Sequence, residues 1–113
     1  MQRLISDALR FSQESAVLCE KWKTIKMNSP VVHQFYRSSN SISANMLEAT
    51  AAESKKDKAH KLAIALKESR ETSGWINTLK KINYLSPEEH LALQKLNNRI
   101  GAGLYFIIKS LKK

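Results

Sequence analysis

Apolar residues recur at alternating intervals of three and four along the first part of the chain. This spacing places them on one face of a helix, which we predict over residues 2–27. A second apolar row, which includes Ile5 and Leu9, lies beside the first and makes the apolar arc wider than one neighbouring helix needs. Such an arc favours an additional interface and hence an oligomer. The first row comprises Leu4, Ala8, Phe11, Ser15, Leu18, Trp22 and Ile25.

The stretch RSSNSISANMLEATAAES, residues 37–54, has the serine content of a loop but the period of a helix. Its inward positions run from Ser38 to Ala49 at the same three-and-four spacing, and most are small. A Ser-Pro pair at residues 29–30 supplies an N-cap followed by a proline suited to the first helical turn. We therefore predict a second helix over residues 30–53 with a slim inward face.

Two further start signals lie in the second half of the chain. Ser54 precedes an acidic residue by three positions, a variant of the capping box, and opens a helix predicted over residues 55–83. Ser86 is followed by proline and then by a glutamate at the third helical position, which opens a helix predicted over residues 87–112. Two glycines inside this last helix would allow a neighbouring helix to approach closely.

Four helices with short connections predict an all-α fold, an up-down-up-down four-helix bundle that forms one domain over residues 1–113. Helix-breaking residues are scarce, since the chain has only three glycines and two prolines. Hydrophobic residues make up 42% of the chain, which is enough for one packed core.

The apolar segments and the cysteine content indicate a cytoplasmic protein. Cys19 is the single cysteine, so the chain can form neither an internal disulfide nor a multi-cysteine metal site. Charged residues interrupt the N-terminal segment, which does not resemble a secretory signal. The apolar run Leu104–Ile108 is too short to cross a bilayer. We expect a soluble protein with no membrane partner.

Positive charge is concentrated in the second half of the chain. The formal net charge is +9, and residues 55–113 carry thirteen Lys/Arg against five Asp/Glu, a net charge of +8. In an up-down bundle, helix starts and ends from different parts of the sequence meet at one pole. We predict that the basic residues collected there bind the phosphates of nucleic acid. The alternative is that they only keep the protein soluble. These residues are Arg3, Lys55, Lys56, Lys58, Lys61, Lys109, Lys112 and Lys113.

Polar residues also line the predicted contact between the second and third helices. Because buried polar groups must be paired, we predict a structural network that fixes helix register within one chain or between subunits. The pattern does not favour catalysis, metal or cofactor binding, since di-iron bundles need paired Glu-x-x-His motifs and none occurs. The network residues are Ser41, Asn45, Glu48, Lys67, Glu68 and Glu71.

The segments SSNSISANMLEATAAESKKD and HKLAIALKESRETSGW resemble the small four-helix-bundle proteins encoded by intervening sequences in bacterial ribosomal RNA genes. That family shows Ser-Ile-x-x-Asn-x-x-Glu-Ala on the second helix and a Trp-ended pattern on the third. The matching residues are Ser41, Ile42, Asn45, Glu48, Ala49, Ser54, Lys55, Asp57, Lys61, Ile64, Ala65, Leu66, Lys67, Glu68, Glu71, Thr72 and Trp75.

The resemblance implies a homo-oligomer, commonly a pentameric ring of bundles around a pore, and no catalytic activity is established for the family. A related branch, the accessory variability determinant proteins of diversity-generating retroelements, binds a reverse transcriptase and its template RNA through basic surfaces. We therefore expect a non-enzymatic basic oligomer that binds RNA or DNA electrostatically, as an accessory subunit of a ribonucleoprotein such as that reverse transcriptase. The alternatives are a protein-interaction scaffold without a nucleic-acid role and, third, a metal or small-ligand bundle enzyme.

Overall fold

The computed structural model describes residues 1–23 and 29–113, and four α-helices account for most of these ranges. No β-strand occurs among the described residues. The structure confirms the predicted all-α four-helix bundle. The helices are α1 (Gln2–Lys23), α2 (Pro30–Thr50), α3 (Lys55–Lys81) and α4 (Pro87–Leu111).

The helices run alternately up and down around a square. Each helix packs against its neighbours in the chain, and α1 also packs against α4. At one pole the ring of Trp22 lies 6.2 Å from that of Phe35 and 5.6 Å from that of Tyr84, between centroids. At the other pole the carboxylate of Glu48, late in α2, lies 3.5 Å from the amine of Lys61, early in α3. The bundle is 46 Å long and 22 by 19 Å across.

Each of the three serines that the sequence marks as an N-cap performs that role. The hydroxyl of Ser29 accepts a hydrogen bond from the Val32 N–H at 3.4 Å, and that of Ser54 accepts one from the Asp57 N–H at 3.0 Å. The third serine, Ser86, forms a complete capping box with the glutamate three residues later. These helix starts follow from local chemistry alone, because a hydroxyl that satisfies an unpaired N–H needs no distant partner.

The helix ends are less well predicted than the starts. α2 ends at Thr50 rather than at residue 53, and α3 ends at Lys81 rather than at residue 83. Beyond α3, Asn83 has a φ of 66°, and the Tyr84 N–H donates to the carbonyl of Leu79 at 2.9 Å. This is a Schellman ending in which asparagine takes the place usually held by glycine.

The predicted last turn of the first helix, residues 24–27 with Ile25, lies outside the described residues.

The stretch that resembles a loop in composition is helical through Thr50 and forms part of the core. Ser38, Ile42 and Ala49 are buried on its inward face, as predicted from their spacing. Buried serines and alanines occupy little volume, so α2 presents the slim face that the sequence predicts to α3.

The wide apolar arc of α1 is used within the single chain, because α1 packs against both α2 and α4. Of the second row, only Leu9 is exposed, and the other members are buried or half-buried. The width of the arc therefore does not by itself require another subunit, and oligomerisation stays a prediction. Among the described helices, none is long and apolar enough to span a membrane.

Candidate nucleic-acid interface

The up-down topology brings the starts of α1 and α3 and the ends of α2 and α4 to one pole of the bundle. We call the eight predicted phosphate-binding residues at these helix ends the basic pole. Most of their side chains are exposed, while Lys58 and Lys61 are half-buried. The residues of the basic pole are Arg3, Lys55, Lys56, Lys58, Lys61, Lys109, Lys112 and Lys113.

The positive charge of the basic pole comes from side chains rather than from helix dipoles. Two helix N-termini and two C-termini meet there, so their partial charges of opposite sign largely cancel. The turn between α2 and α3 and the helix ends beside it also carry the carboxylates of Glu48, Glu53 and Asp57, and that of Glu48 pairs with Lys61. The eight basic side chains therefore outnumber the carboxylates beside them.

Two residues of the basic pole have partners within the chain. Lys61 forms an ion pair with Glu48 at 3.5 Å, and the amine of Lys109 lies 5.7 Å from the centroid of the Tyr105 ring, a cation–π distance. In the part of the chain that the structure describes, no other member of the basic pole has a carboxylate within 4.0 Å. Lys61 thus has a structural role that its neighbours lack.

The predicted polar network between α2 and α3 divides into separate local interactions. The guanidinium of Arg37 donates to both carboxylate oxygens of Glu68 at 3.3 Å and lies 3.5 Å from the carboxylate of Glu71. The hydroxyl of Ser41 donates to the Arg37 carbonyl, and the amide of Asn45 donates to the Ser41 carbonyl, so both bond within their own helix.

The remaining two members of that predicted network lie apart from the arginine. Glu48 pairs with Lys61 of the basic pole, and Lys67 is exposed. Sequence reasoning missed Arg37, although it lies one helical turn before Ser41 and hence on the same side of α2. A single connected network of the six residues is absent from the described structure.

The buried polar contacts between helices lie elsewhere. The hydroxyl of Thr72 donates to that of Ser38 at 2.8 Å between α3 and α2, and the hydroxyls of Ser12 and Ser43 lie 2.8 Å apart between α1 and α2. The serines that sequence reasoning treated as small packing residues therefore also pair across the helix contacts. Pairing removes the cost of burying a hydroxyl in an apolar core.

A ladder of side-chain hydrogen bonds joins α3 to α4. Its buried rung is reciprocal: the Ser69 hydroxyl donates to the Asn97 side-chain oxygen at 2.8 Å, and the Asn97 amide donates to the Ser69 carbonyl at 2.9 Å. The next rung joins Ser73 to Gln94 at 3.1 and 3.0 Å. The outer rung joins Asn77 to Gln94 at 2.9 Å and to a ring nitrogen of His90 at 2.8 Å.

The outer surface of α3 and α4 contains two depressions of about 440 and 450 Å³. Three residues line both and form the ridge between them: Leu66, Arg70 and Tyr105. Phe106 lines the first depression, and Lys112 of the basic pole lines the second. We call this surface the α3/α4 face. Sequence reasoning did not single out Arg70, Tyr105 or Phe106 as site residues.

The thiol of Cys19, on α1, is not an activated nucleophile. Burial, with a smaller contribution from the carboxylate of Glu20, raises the pKa of the Cys19 thiol to about 11. A thiol with this pKa is protonated and a poor nucleophile at neutral pH. Within residues 1–23 and 29–113, no three His, Cys, Asp or Glu side chains lie close enough together to hold a metal ion.

The fold and the surface chemistry define a small, strongly basic four-helix-bundle protein. The family model of the 23S rRNA-intervening sequence protein matches residues 2–105, so the chain belongs to that family. This confirms the resemblance seen on α2 and α3. The relation to the accessory variability determinant proteins stays a prediction.

A solved structure supports the same assignment. The chain is similar to a protein of unknown function from the S23 ribosomal protein family of Bacteroides thetaiotaomicron VPI-5482, with a TM-score of 0.89 and 31% sequence identity. The match covers 94% of this chain and 98% of that one. No curated protein matches the chain.

Proposed function

We propose that this protein is a non-enzymatic nucleic-acid-binding bundle whose basic pole contacts phosphates. One observation carries the proposal: eight basic side chains from three separate parts of the sequence lie at one pole, and only Lys61 of them has a carboxylate partner within 4.0 Å among the described residues. Cations without partners release counterions when they meet a polyanion, which favours binding at low salt. Such contacts position a nucleic acid without reading its sequence.

The opposite pole offers a matched comparison. Lys80 and Lys81 end α3 there as two adjacent exposed lysines, like Lys55 and Lys56 at the start of α3. The two pairs differ in their surroundings, because the acidic first turn of α4 shares the pole of Lys80 and Lys81. If only net charge mattered, removing either pair would weaken nucleic-acid binding equally. If phosphates bind at the basic pole, removing Lys55 and Lys56 would weaken binding more than removing Lys80 and Lys81.

The experiment measures RNA and DNA binding by fluorescence anisotropy over a range of salt concentrations. The double variant K55Q/K56Q should bind at least about tenfold more weakly, and the slope of log K against log salt should fall by about 1 for each lysine that no longer meets a phosphate. The variant K80Q/K81Q, which removes the same charge, should bind nearly as well as the original protein. Lys61 is left unchanged because its substitution would also break the ion pair with Glu48.

Two results would overturn the proposal. One is the absence of binding at low salt, or binding that salt does not weaken. The other is an equal loss of affinity in both double variants, which would mean that only net charge matters.

The proposal includes assembly into a ring-shaped homo-oligomer, with a pentamer favoured, that acts in the cytoplasm beside a partner such as a reverse transcriptase. Exposed apolar side chains support an interface, notably Val17 at 70% and Leu47 at 46% exposure. Multi-angle light scattering should give a mass several times 12.8 kDa, and a monomer at micromolar concentration would exclude the ring. A partner recovered after nuclease treatment would favour the alternative of a protein-interaction scaffold.

A further inference from the structure

The α3/α4 face combines exposed aromatic rings with positive charge. Phe106 is 68% exposed and Tyr105 is 46% exposed, and their ring centroids lie 5.7 Å apart at an interplanar angle of 77°. Exposing a phenyl ring to water is unfavourable. Exposed aromatic rings beside cations are typical of protein surfaces on which nucleobases stack.

The charge of this face is unbalanced. Lys67, Arg70 and Lys112 line its depressions, and the one carboxylate among the lining residues is that of Glu71. That carboxylate shares the guanidinium of Arg37, 3.5 Å away, with Glu68, and three cations against one carboxylate still leave the face positive. In the described part of the chain, Arg70 has no carboxylate within 4.0 Å. The face is therefore complementary to a polyanion.

The shape of the face suits a short extended strand. Its lining residues on α3 run from Ala63 to Ser73, about 15 Å along the helix axis. The ridge at Tyr105 separates the two depressions, so a base on either side can contact an aromatic or apolar surface. Lys112 belongs both to this face and to the basic pole, which makes the two surfaces continuous.

We infer that the α3/α4 face binds single-stranded nucleic acid, with bases stacked on Tyr105 and Phe106 and phosphates held by Arg70 and Lys112. The inference rests on the proposed function and narrows it, because duplexes hide the faces of their bases and only single strands can stack them on a protein. A second copy of this chain fits the face less well, because the chain carries a net charge of +9 and would bring positive charge against a positively charged face.

The experiment compares a single-stranded oligonucleotide carrying 2-aminopurine with a duplex of the same length. The original protein should bind the single strand more tightly and quench its 2-aminopurine emission by stacking. F106A and Y105A should each weaken single-strand binding by roughly fivefold to a hundredfold. They should abolish most of the quenching and leave both the duplex affinity and the salt dependence unchanged.

The chain supplies a matched control for each variant. Leu91 has the same 68% exposure as Phe106 and also lies on α4, and Tyr36 is 49% exposed, close to the value for Tyr105. L91A and Y36A should leave single-strand binding and quenching unaltered. All four side chains are exposed, so the variants should fold, which circular dichroism verifies.

Distinct results would overturn this inference and the proposed function. Salt-dependent binding that F106A and Y105A do not weaken would refute stacking and leave the proposed function standing. Absence of binding to either oligonucleotide at low salt would refute both. A fall in oligomer mass in F106A or Y105A, with binding unchanged, would assign the face to a second copy of the chain.

Discussion

At the scale of single residues, Gly74 marks a place where the helix could be more stable than it is. It lies inside α3 and is exposed, and a Cβ built on it would meet nothing within 4 Å. Since glycine costs a helix interior about 1 kcal/mol relative to alanine, Gly74→Ala should raise the free energy of unfolding by about 0.5–1 kcal/mol. Urea denaturation measures the change.

Gly103 supplies the comparison for that measurement. A Cβ at this position would lie 2.7 Å from a terminal methyl of Leu4, because α1 and α4 approach closely there. Gly103→Ala has the same gain in propensity, but Leu4 must move to make room, so we expect a smaller gain or a net loss. Equal stabilisation by both substitutions would show that the close approach of α1 and α4 at Gly103 does not affect the free energy of unfolding.

The buried thiol of Cys19 makes a second prediction at this scale. Its folded pKa of about 11 lies above the ordinary value of 9.0, so folding favours the protonated form. The contribution of the protonated thiol to the free energy of unfolding is therefore fully present below pH 9. It is lost as the pH rises from 9 to about 11. In mildly alkaline buffer, a disulfide reagent should react much more slowly with the folded protein than with the same protein unfolded in urea. Equal rates would contradict the raised pKa.

At the scale of helices, the buried rung between Ser69 and Asn97 fixes how α3 and α4 face each other. Asn97 is 1% exposed, and removing its side chain takes away both the closest acceptor of the Ser69 hydroxyl and the donor to the Ser69 carbonyl. Asn97→Ala should lower the free energy of unfolding by about 1–3 kcal/mol.

A double-mutant cycle separates this pairing from a simple reduction in side-chain volume. If the rung matters, the cost of S69A/N97A should be smaller than the sum of the two single costs, because the hydrogen bond between the Ser69 hydroxyl and the Asn97 side-chain oxygen can be lost only once. Additive costs would mean that the two side chains stabilise the protein independently.

The helices also show what a sequence can predict and what it cannot. Ser54 and Ser86 reveal helix starts because a cap acts on an N–H three residues away. The pairing of Arg37 with Glu68 depends on how far α2 is rotated and shifted against α3, and a period of three and four leaves that rotation free by about one residue. The rungs between α3 and α4 were missed for the same reason.

At the scale of the whole molecule, the contacts between helices are unequal. The contact between α2 and α3 is the most extensive, and that between α1 and α4 is the least. The latter is closed by a surface ion pair in which Arg99 donates to both carboxylate oxygens of Asp7, at 3.1 and 3.2 Å. Exposed pairs of this kind contribute little stability, so α1 is the least firmly held helix.

Hydrogen exchange tests this order of stability. Amides in the middle of α1 should exchange faster than amides in the middle of α3, since a helix that buries less of its surface opens at a lower free energy. Because the ion pair contributes little, the substitution Arg99→Gln should accelerate exchange in α1 only slightly and leave α3 unchanged. Uniform exchange in all four helices would instead indicate that the bundle opens only as one unit.

Sequence reasoning located the basic pole by topology alone, because chain direction places helix ends without any knowledge of side-chain packing. It did not find the α3/α4 face. That surface depends on which side of α4 remains uncovered, and the apolar spacing gives no reason to set Tyr105 and Phe106 apart from the core residues around them.

The ladder between α3 and α4 has a mechanical consequence. Its rungs join positions one turn apart on both helices, so sliding α4 by one turn would break all of them together rather than one at a time. The two helices therefore move as one rigid unit. A small force along the bundle axis would displace α1 before it made α4 slide along α3. A strand bound across the α3/α4 face would rest on two helices that keep their register with each other.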